Sequence, residues 1–250
     1  MSVDEERAAP FAAHAAQEQF LDGMERARNY NDWLLRRSRP YLGRRVLDAG
    51  AGSGTFSERL AADSSRSVVA VEPDPAFELT LRQRFADDQN VVVVAADATA
   101  LQAEVIGGRV DSIICFNVLE HIRDHRAALQ SFHDLLVEGG HLLLVVPAHP
   151  FLFGSLDEAV EHERRYRKED VERELTAAGF RTRTLQLVNP VGAVGWLVSS
   201  RILKRRSIPA RSLGLFDRLV PLLRPLDRVP LPVGLSVWAV AERPSDEGTG

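Results

Sequence analysis

A glycine-rich turn between an apolar segment and a helix-forming one limits the fold of this chain more than any other feature. Residues 46–56 read VLDAGAGSGTF, with glycine at positions 50, 52 and 54. Glycine has no Cβ and adopts positive φ at little cost, so the backbone of such a turn can approach a ligand closely. The first N–H groups of the following helix then face that ligand. The turn therefore predicts a strand–turn–helix unit that binds a nucleotide-like cofactor.

The spacing of the glycines separates this turn from the dehydrogenase fingerprint. Dehydrogenases carry G-x-G-x-x-G and hold a pyrophosphate at the helix N-terminus; here Thr55 stands where their third glycine belongs. Asp48, at the end of the strand, would repel a pyrophosphate but attract an ammonium group. The combination DAGAGSG resembles motif I of the class I S-adenosylmethionine (SAM) methyltransferases. This resemblance implies SAM as the cofactor, with Asp48 near its methionine part. The residues implied to border it are Gly50, Ala51, Gly52 and Gly54.

Polar residues follow the next three apolar segments at intervals that fit the same family. Glu72 and Pro73 end the second segment, and a carboxylate at that position can accept the hydroxyls of a ribose. The resemblance assigns Asp97 and Ala98, after the third segment, to the adenine ring. It assigns Asn117, which opens N-V-L-E-H-I after the fourth, to the methionine part. Glu72 could instead be a solvated carboxylate, and Asp97 a helix N-cap.

The order of segments predicts an α/β fold. Residues 135–140 are expected to end a helix at a glycine cap. The resemblance, which covers residues 46–147, implies a seven-stranded, mostly parallel sheet with helices on both faces and an antiparallel last strand. The predicted strands are 46–49, 67–71, 91–96, 110–116, 141–146, 180–188 and 234–242. A helix is predicted over residues 168–179.

Composition sets the class of protein. A chain of 250 residues with 45% hydrophobic content suits one α/β domain. The net charge of −4 argues against a nucleic-acid partner. The single cysteine, Cys115, lies within an apolar strand and is expected to be buried, which suits a reducing cytoplasm. No signal peptide or membrane-spanning run is evident, and the strong preference for arginine over lysine suggests a bacterial source.

The segments outside the sheet have their own patterns. Residues 1–45 predict a helical lid, with helices at 12–28 and 30–39. Tyr30 and Trp33 share one face of the second of these helices. Tyr30 either contacts the cofactor or packs against the core, and the sequence leaves both open. The polar tail, residues 243–250, is expected to be disordered.

Residues 189–233, between strands six and seven, form an insertion far longer than an ordinary loop. Eight basic and two acidic residues alternate with apolar ones here, although the whole chain is acidic. This pattern predicts two short amphipathic helices separated by Ile208 and Pro209. The insertion could serve a membrane surface or a homodimer. Its basic residues are Arg201, Lys204, Arg205, Arg206, Arg211, Arg218, Arg224 and Arg228.

Four histidines are candidates for a base that deprotonates the methyl acceptor, because ligands bind at the carboxyl ends of parallel strands. They are His121, His125, His149 and His162. His162 ranks first, since H-E-R-R-Y resembles a segment of a bacterial branch of these enzymes linked to carbohydrate or natural-product pathways. If this segment is helical, Tyr166 lies one turn away as a second catalytic candidate. The alternative to a catalytic role is that the segment is an N-terminal helix cap region with solvated charges. His121 ranks second, because its position in the family is often structural.

Metal catalysis is not expected from the sequence. His121 and His125 are four residues apart, but no third ligand is evident. Catechol-type methyltransferases carry metal-binding acids after strands four and five, where this chain has Asn117 and Ala148.

Three functions are consistent with these patterns. The first is SAM-dependent methyl transfer to a hydroxyl or amine of a small molecule, such as a sugar or natural product. The second is the same reaction on a lipid-linked or anionic amphipathic acceptor at a membrane. The third is SAM binding without turnover, in a regulatory protein.

Overall fold

Seven strands form a single mixed sheet in the computed structural model, which describes Gly23 and residues 25–207, 209–224 and 231–245. The strand order is β3-β2-β1-β4-β5-β7-β6, and β7 runs antiparallel to both of its neighbours. The predicted seven-stranded α/β sheet with an antiparallel last strand is therefore confirmed. The strands are β1 (Arg45–Ala49), β2 (Ser67–Val71), β3 (Val91–Val94), β4 (Val110–Phe116), β5 (Leu136–Pro147), β6 (Arg181–Val188) and β7 (Ser236–Glu242).

Helices cover both faces of the sheet, and the central strands are buried for this reason. One face packs around Phe132 and Leu175, and the other around Leu34, Leu81 and Trp238. Cys115 of β4 is fully buried, as expected. The α-helices in the described part of the chain are α1 (Arg28–Ser38), α2 (Thr55–Ala61), α3 (Pro75–Arg84), α4 (Ala103–Ile106), α5 (His125–Leu135), α6 (Ser155–Ala159), α7 (Lys168–Ala177), α8 (Pro190–Trp196) and α9 (Ala210–Leu223).

The parallel strands β1 to β5 all end at the same edge of the sheet. Each of the first four strands is followed there by a predicted cofactor residue. The sheet therefore brings together, at one edge, groups that are far apart in the sequence.

The start of β5 differs from the prediction. We expected residues 135–140 to end a helix at a glycine cap, but α5 stops at Leu135 and β5 begins at Leu136. Leu136 pairs with Val110 of β4, and Gly139 keeps a φ of +74° inside the strand. Its N–H donates to the carbonyl of Arg243 beyond β7. Pairing with both neighbouring strands therefore extends β5 back to the helix.

The insertion contains two helical segments, as predicted. The first is α8, which continues as a π-helical turn over Leu197–Ile202, and the second is α9, which begins after Pro209. Asp217 of α9 accepts hydrogen bonds from the backbone N–H groups of Asn29 and Tyr30 at 3.3 and 3.0 Å. This buried carboxylate holds α9 against α1.

Several predictions about the termini and the insertion concern residues outside the described ones. These are most of the 12–28 helix, Ile208, Arg228 and residues 246–250 of the tail. Within the described residues, no helix is both long enough and apolar enough to cross a bilayer.

Candidate active site

The glycine-rich turn forms one wall of a cleft of about 490 Å³ at the carboxyl ends of the strands. Gly50 and Gly52 line this cleft with φ values of +67° and +54°. A Cβ on Gly50 would lie 2.6 Å from the side chain of Val118, so a larger residue does not fit. The turn thus brings bare backbone to the edge of the cleft, as the cofactor implied by the resemblance requires.

Glu72 is held in a fixed position at the end of β2. Its two carboxylate oxygens accept hydrogen bonds from the backbone N–H groups of Gly52, at 2.8 Å, and Asp74, at 3.0 Å. Burial raises the pKa of Glu72, although these two N–H groups favour its charged form. Each oxygen keeps a second lone pair, so the carboxylate can also accept the hydroxyls of a ribose in the cleft.

The other predicted adenosyl contacts lie around the same cleft, which Pro73, Asp97, Ala98 and Asn117 also line. One oxygen of Asp97 accepts from the N–H and the hydroxyl of Thr99, both at 2.7 Å, and caps a short 3-10 helix over Ala98–Ala100. Asp97 is therefore an N-cap and also lines the cleft, and its contact with the adenine ring stays a prediction.

Four predicted cofactor residues do not line the cleft, and three of them, Asp48, Ala51 and Gly54, lie in or next to the glycine-rich turn. Asp48 is buried and accepts from the Ser57 hydroxyl at 2.7 Å, and burial, reinforced by the charge of Glu72, raises the pKa of Asp48 to about 7. Ala51 is buried, and its N–H donates to a β2 carbonyl. A Cβ on Gly54 would lie 2.8 Å from Phe85, so this glycine permits helix packing. The contacts of these three residues are therefore with α2, with β2 and with Phe85, which follows α3, and their predicted cofactor contacts stay predictions.

Tyr30 lies in a second cavity and not in the cofactor cleft. Hydrogen bonds to Asp217 fix α1 against α9 and place the Tyr30 ring 6.4 Å from Phe216. This cavity has a volume of about 210 Å³, and Trp196 completes its aromatic wall. Its polar lining includes Asn117, Glu120, His162 and Arg165. Asn117 lines both spaces, so the two adjoin at the end of β4.

His162 is the predicted base that the structure brings into this cavity. Its Nδ1 lies 2.9 Å from the Asp157 carboxylate, which also accepts from Arg165 at 2.7 Å and from Trp196 at 3.2 Å. Burial would raise the pKa of Asp157, but these hydrogen bonds and the charge of Arg165 outweigh burial and keep it below its usual value. Ionised Asp157 thereby fixes the proton of His162 on Nδ1 and leaves Nε2 as an acceptor.

Glu120 is a functional candidate that sequence reasoning missed. Its side chain is fully buried, and neither carboxylate oxygen has a hydrogen-bond partner in the described part of the chain. One of these oxygens lies 3.8 Å from Nε2 of His162, and burial raises the pKa of Glu120 to about 7. The sequence did carry a signal for Glu120, because this acid follows the apolar residues Val118 and Leu119 in N-V-L-E-H-I. Burial of a carboxyl group costs stability, so an acid at such a position indicates a functional role.

The structure also assembles a set of potential metal ligands that the sequence did not reveal. One ligand atom each from Glu120, His121 and His162 lies within 4.8 Å of the others. The spacing of His121 and His125 in the sequence gives no sign of this set. His162 follows β5 in the chain and comes close to Glu120 and His121 only in the folded structure. His125 points elsewhere, and its Nδ1 lies 2.8 Å from the Tyr166 hydroxyl.

The remaining catalytic candidates differ in position. His121 lines the cofactor cleft with its ring 4.7 Å from that of His162, and burial lowers its pKa to about 4, which makes it a weak base at neutral pH. Tyr166 lines neither cavity; it is buried and its hydroxyl donates to the Leu119 carbonyl. The segment from residue 162 to 166 is extended and not helical, so Tyr166 turns into the core beside Ala148. His149 packs on Phe151 and lines neither cavity.

We expect Glu120→Gln to change how stability depends on pH. Folding raises the pKa of Glu120 from 4.5 to about 7. The contribution of Glu120 to the free energy of unfolding is therefore complete below pH 4.5 and is lost as the pH rises towards 7. Between pH 4.5 and 7, the free energy of unfolding should therefore fall more steeply with pH in the unsubstituted protein than in the variant. The difference between the two slopes should reach up to about 1.4 kcal/mol per pH unit. Urea unfolding at several pH values measures this difference.

The control for this experiment is Glu163→Gln, at an exposed position nearby. Asp48 titrates in the same window in every variant, so the comparison isolates Glu120. Parallel stability curves for the Glu120 variant and the unsubstituted protein would contradict the prediction.

Comparison with known sequences agrees with this geometry. A family described as a methyltransferase domain matches residues 21–185. The tRNA U34 carboxymethyltransferase of Alcanivorax borkumensis is 35% identical over 120 residues, 46% of this chain and 37% of that enzyme. The ubiquinone biosynthesis O-methyltransferase of Azorhizobium caulinodans is 31% identical over 106 residues, 42% of this chain and 41% of that enzyme. The chain thus spans less than half of the length of these curated relatives.

Solved structures with similar folds include methyltransferases. A putative methyltransferase from Bacillus halodurans superposes with a TM-score of 0.57 at 19% identity, covering 86% of this chain and 99% of that one. The 1,6-didemethyltoxoflavin-N1-methyltransferase of Burkholderia thailandensis, with its substrate and S-adenosylhomocysteine (SAH) bound, gives 0.59 at 18% identity, covering 98% and 92%. The chain belongs to the class I methyltransferase family with a Rossmann-like fold, and SAM is its cofactor.

Proposed function

We propose that this SAM-dependent methyltransferase moves a methyl group to a hydroxyl or amine of a small molecule, such as a sugar or natural product. The observation that carries the proposal is the position of Asn117, which lines both the cofactor cleft and the aromatic-walled cavity. An acceptor in the second cavity would therefore adjoin the cofactor at this residue. We call this second space the acceptor cavity.

The cofactor brings an activated methyl group on a sulfonium, which leaves as a neutral thioether. The protein is then needed mainly to align the acceptor and to exclude water. Gly50 and Gly52 offer close backbone contact, and Glu72 binds the ribose. Tyr30, Trp196 and Phe216 provide the apolar walls that keep the acceptor cavity dry.

His162 is proposed as the base for a hydroxyl acceptor. Its Nε2 is buried and has no hydrogen-bond partner among the described residues, whereas Nδ1 is held by Asp157. The hydroxyl proton would move to Nε2, and Asp157 would stabilise the resulting imidazolium. Glu120, 3.8 Å from Nε2, would stabilise the same charge. Tyr166 is not part of this proposal, because its hydroxyl is engaged in the core.

The lining of the acceptor cavity favours a neutral acceptor. Arg165 is the only arginine among the described lining residues, and it is already bound by Asp157 and stacked 4.6 Å from the Trp196 ring. The basic residues in the described part of the insertion do not line this cavity, so they offer no partner for a carboxylate or phosphate there. A volume of about 210 Å³ suits one sugar or aromatic ring.

The test is formation of SAH from SAM with a panel of sugar, phenol and amine acceptors, with folded tRNA as a separate arm. Methyl transfer to at least one small acceptor is expected. Because one relative is named a tRNA enzyme, the absence of a nucleic-acid partner stays a prediction. SAH formation only with tRNA would overturn the small-molecule proposal.

A further inference from the structure

The outward sides of α8 and α9 expose an unusual amount of aliphatic surface. Of the fifteen large hydrophobic residues that are exposed in the described part of the chain, eleven lie between residues 191 and 233. We define the outer insertion face by Val191, Val194, Val198, Ile202, Leu215 and Leu222. Leu222, at 75% exposure, and Ile202, at 66%, are more exposed than any other residue in this group. Aliphatic side chains concentrated in this way indicate a contact surface.

The spacing of these residues shows that the face is organised. Along the first helical segment, the four aliphatic residues from Val191 to Ile202 recur every three or four positions, which places them on one side. A different side of this segment, with Gly192 and Trp196, lines the acceptor cavity. In α9, Phe216 likewise faces the cavity. Each helix therefore contributes residues both to the cavity wall and to the outer insertion face, within the width of one helix, about 10 Å.

Cations are interleaved with this aliphatic surface. Arg211, Leu215, Arg218 and Leu222 alternate at spacings of four, three and four along α9 and so form one stripe. The exposed cations of the described insertion are Arg201, Lys204, Arg205, Arg206, Arg211, Arg218 and Arg224. The only acid there is Asp217, which is buried against α1. This face is therefore strongly positive on a protein whose net charge is −4.

We propose that the outer insertion face docks on an anionic phospholipid membrane. Aliphatic side chains can enter the boundary between headgroups and acyl chains, while the arginines contact lipid phosphates. A surface for single-stranded nucleic acid would instead be expected to expose aromatic rings for base stacking, but Trp196 and Phe216 face inwards. Helical nucleic acid is bound mainly through its phosphates, which would not use the exposed aliphatic side chains. Two copies of this chain would bring two positive faces together, which disfavours a dimer through this surface.

This inference rests on the proposed function, methyl transfer, and adds to it a class of acceptor. Docking would place the acceptor cavity one helix away from the lipid surface. The acceptor class that suits this arrangement is amphipathic, with a methyl-accepting head that enters the cavity and a lipid tail that stays in the membrane. The family match ends at residue 185, so the outer insertion face lies outside the matched region.

The test is co-sedimentation of the full chain with vesicles of phosphatidylcholine alone and with 30% phosphatidylglycerol. We expect at least tenfold tighter binding to the anionic vesicles, and a loss of most of this gain in 0.5 M NaCl. The double variant Leu215→Ser, Leu222→Ser should bind anionic vesicles at least tenfold more weakly. The matched control is Leu79→Ser with Val105→Ser, since these residues are 56% and 53% exposed and lie outside the insertion.

The outcomes separate docking from methyl transfer. SAM affinity and SAH formation with a soluble acceptor should be unchanged in the Leu215, Leu222 variant, so a failure of the proposed function would appear without any vesicles. Equal binding of the unsubstituted protein to both kinds of vesicle would overturn the docking proposal. Two further results would overturn it, each combined with unchanged vesicle binding by the double variant. The first is the loss of a dimer that analytical ultracentrifugation detects in the unsubstituted protein, and the second is the loss of RNA binding.

Discussion

Replacing His162 with alanine is expected to slow methyl transfer to a hydroxyl acceptor by about 10²–10⁴-fold, the usual contribution of a positioned base. SAM affinity should stay within about twofold, because His162 lines the acceptor cavity and not the cofactor cleft. Single-turnover SAH formation and calorimetric titration with SAM measure the two quantities separately. A variant with normal turnover would show that the proton leaves by another route.

Two companion measurements make the role of His162 specific. Asp157→Asn should reduce the rate by a similar factor, because an amide can favour the wrong tautomer of the imidazole held at 2.9 Å. His121→Ala should reduce it far less, because His121 faces the cofactor cleft and has a lowered pKa. If EDTA abolishes activity and zinc or manganese restores it, then Glu120, His121 and His162 act as metal ligands and the base assignment is wrong.

Replacing Glu72 with alanine is expected to weaken SAM binding by about 10²-fold or more. The substitution removes the ribose acceptor and leaves the buried N–H of Gly52 without its partner at 2.8 Å. An unsatisfied buried donor alone costs about 1–3 kcal/mol. Isothermal titration with SAM and with SAH gives the dissociation constants directly.

Glu104→Ala, at an exposed site on α4, is the control for Glu72→Ala and should bind SAM normally. A thermal unfolding curve distinguishes lost affinity from lost fold. Unchanged affinity in a folded Glu72→Ala variant would remove the ribose role assigned to this carboxylate.

The cofactor half of the site was predictable because it depends on local order. A glycine turn after one strand, and single polar residues after the next three, lie at one edge of any parallel sheet built from these segments. Gly50, Gly52, Glu72 and Asp97 could thus be placed beside one cleft from the sequence. The cofactor contacts of Asp48, Ala51 and Gly54 stay predictions, because these residues do not line the cleft and the side of a turn that each residue faces depends on what packs behind it.

The acceptor half of the site depends on contacts that no local pattern encodes. Glu120 approaches His162 because β4 and β5 are neighbours in the sheet, and Tyr30 meets Phe216 because Asp217 fixes α9 to α1. The sequence by itself determined where the strands lie along the chain and that a glycine turn follows the first of them, since glycine conformation and hydrophobic periodicity act within a few residues, and its resemblance to a known family implied the cofactor. Only the tertiary structure decided which histidine meets a buried carboxylate and which tyrosine lines a cavity, because burial and charge depend on residues that are distant in the chain.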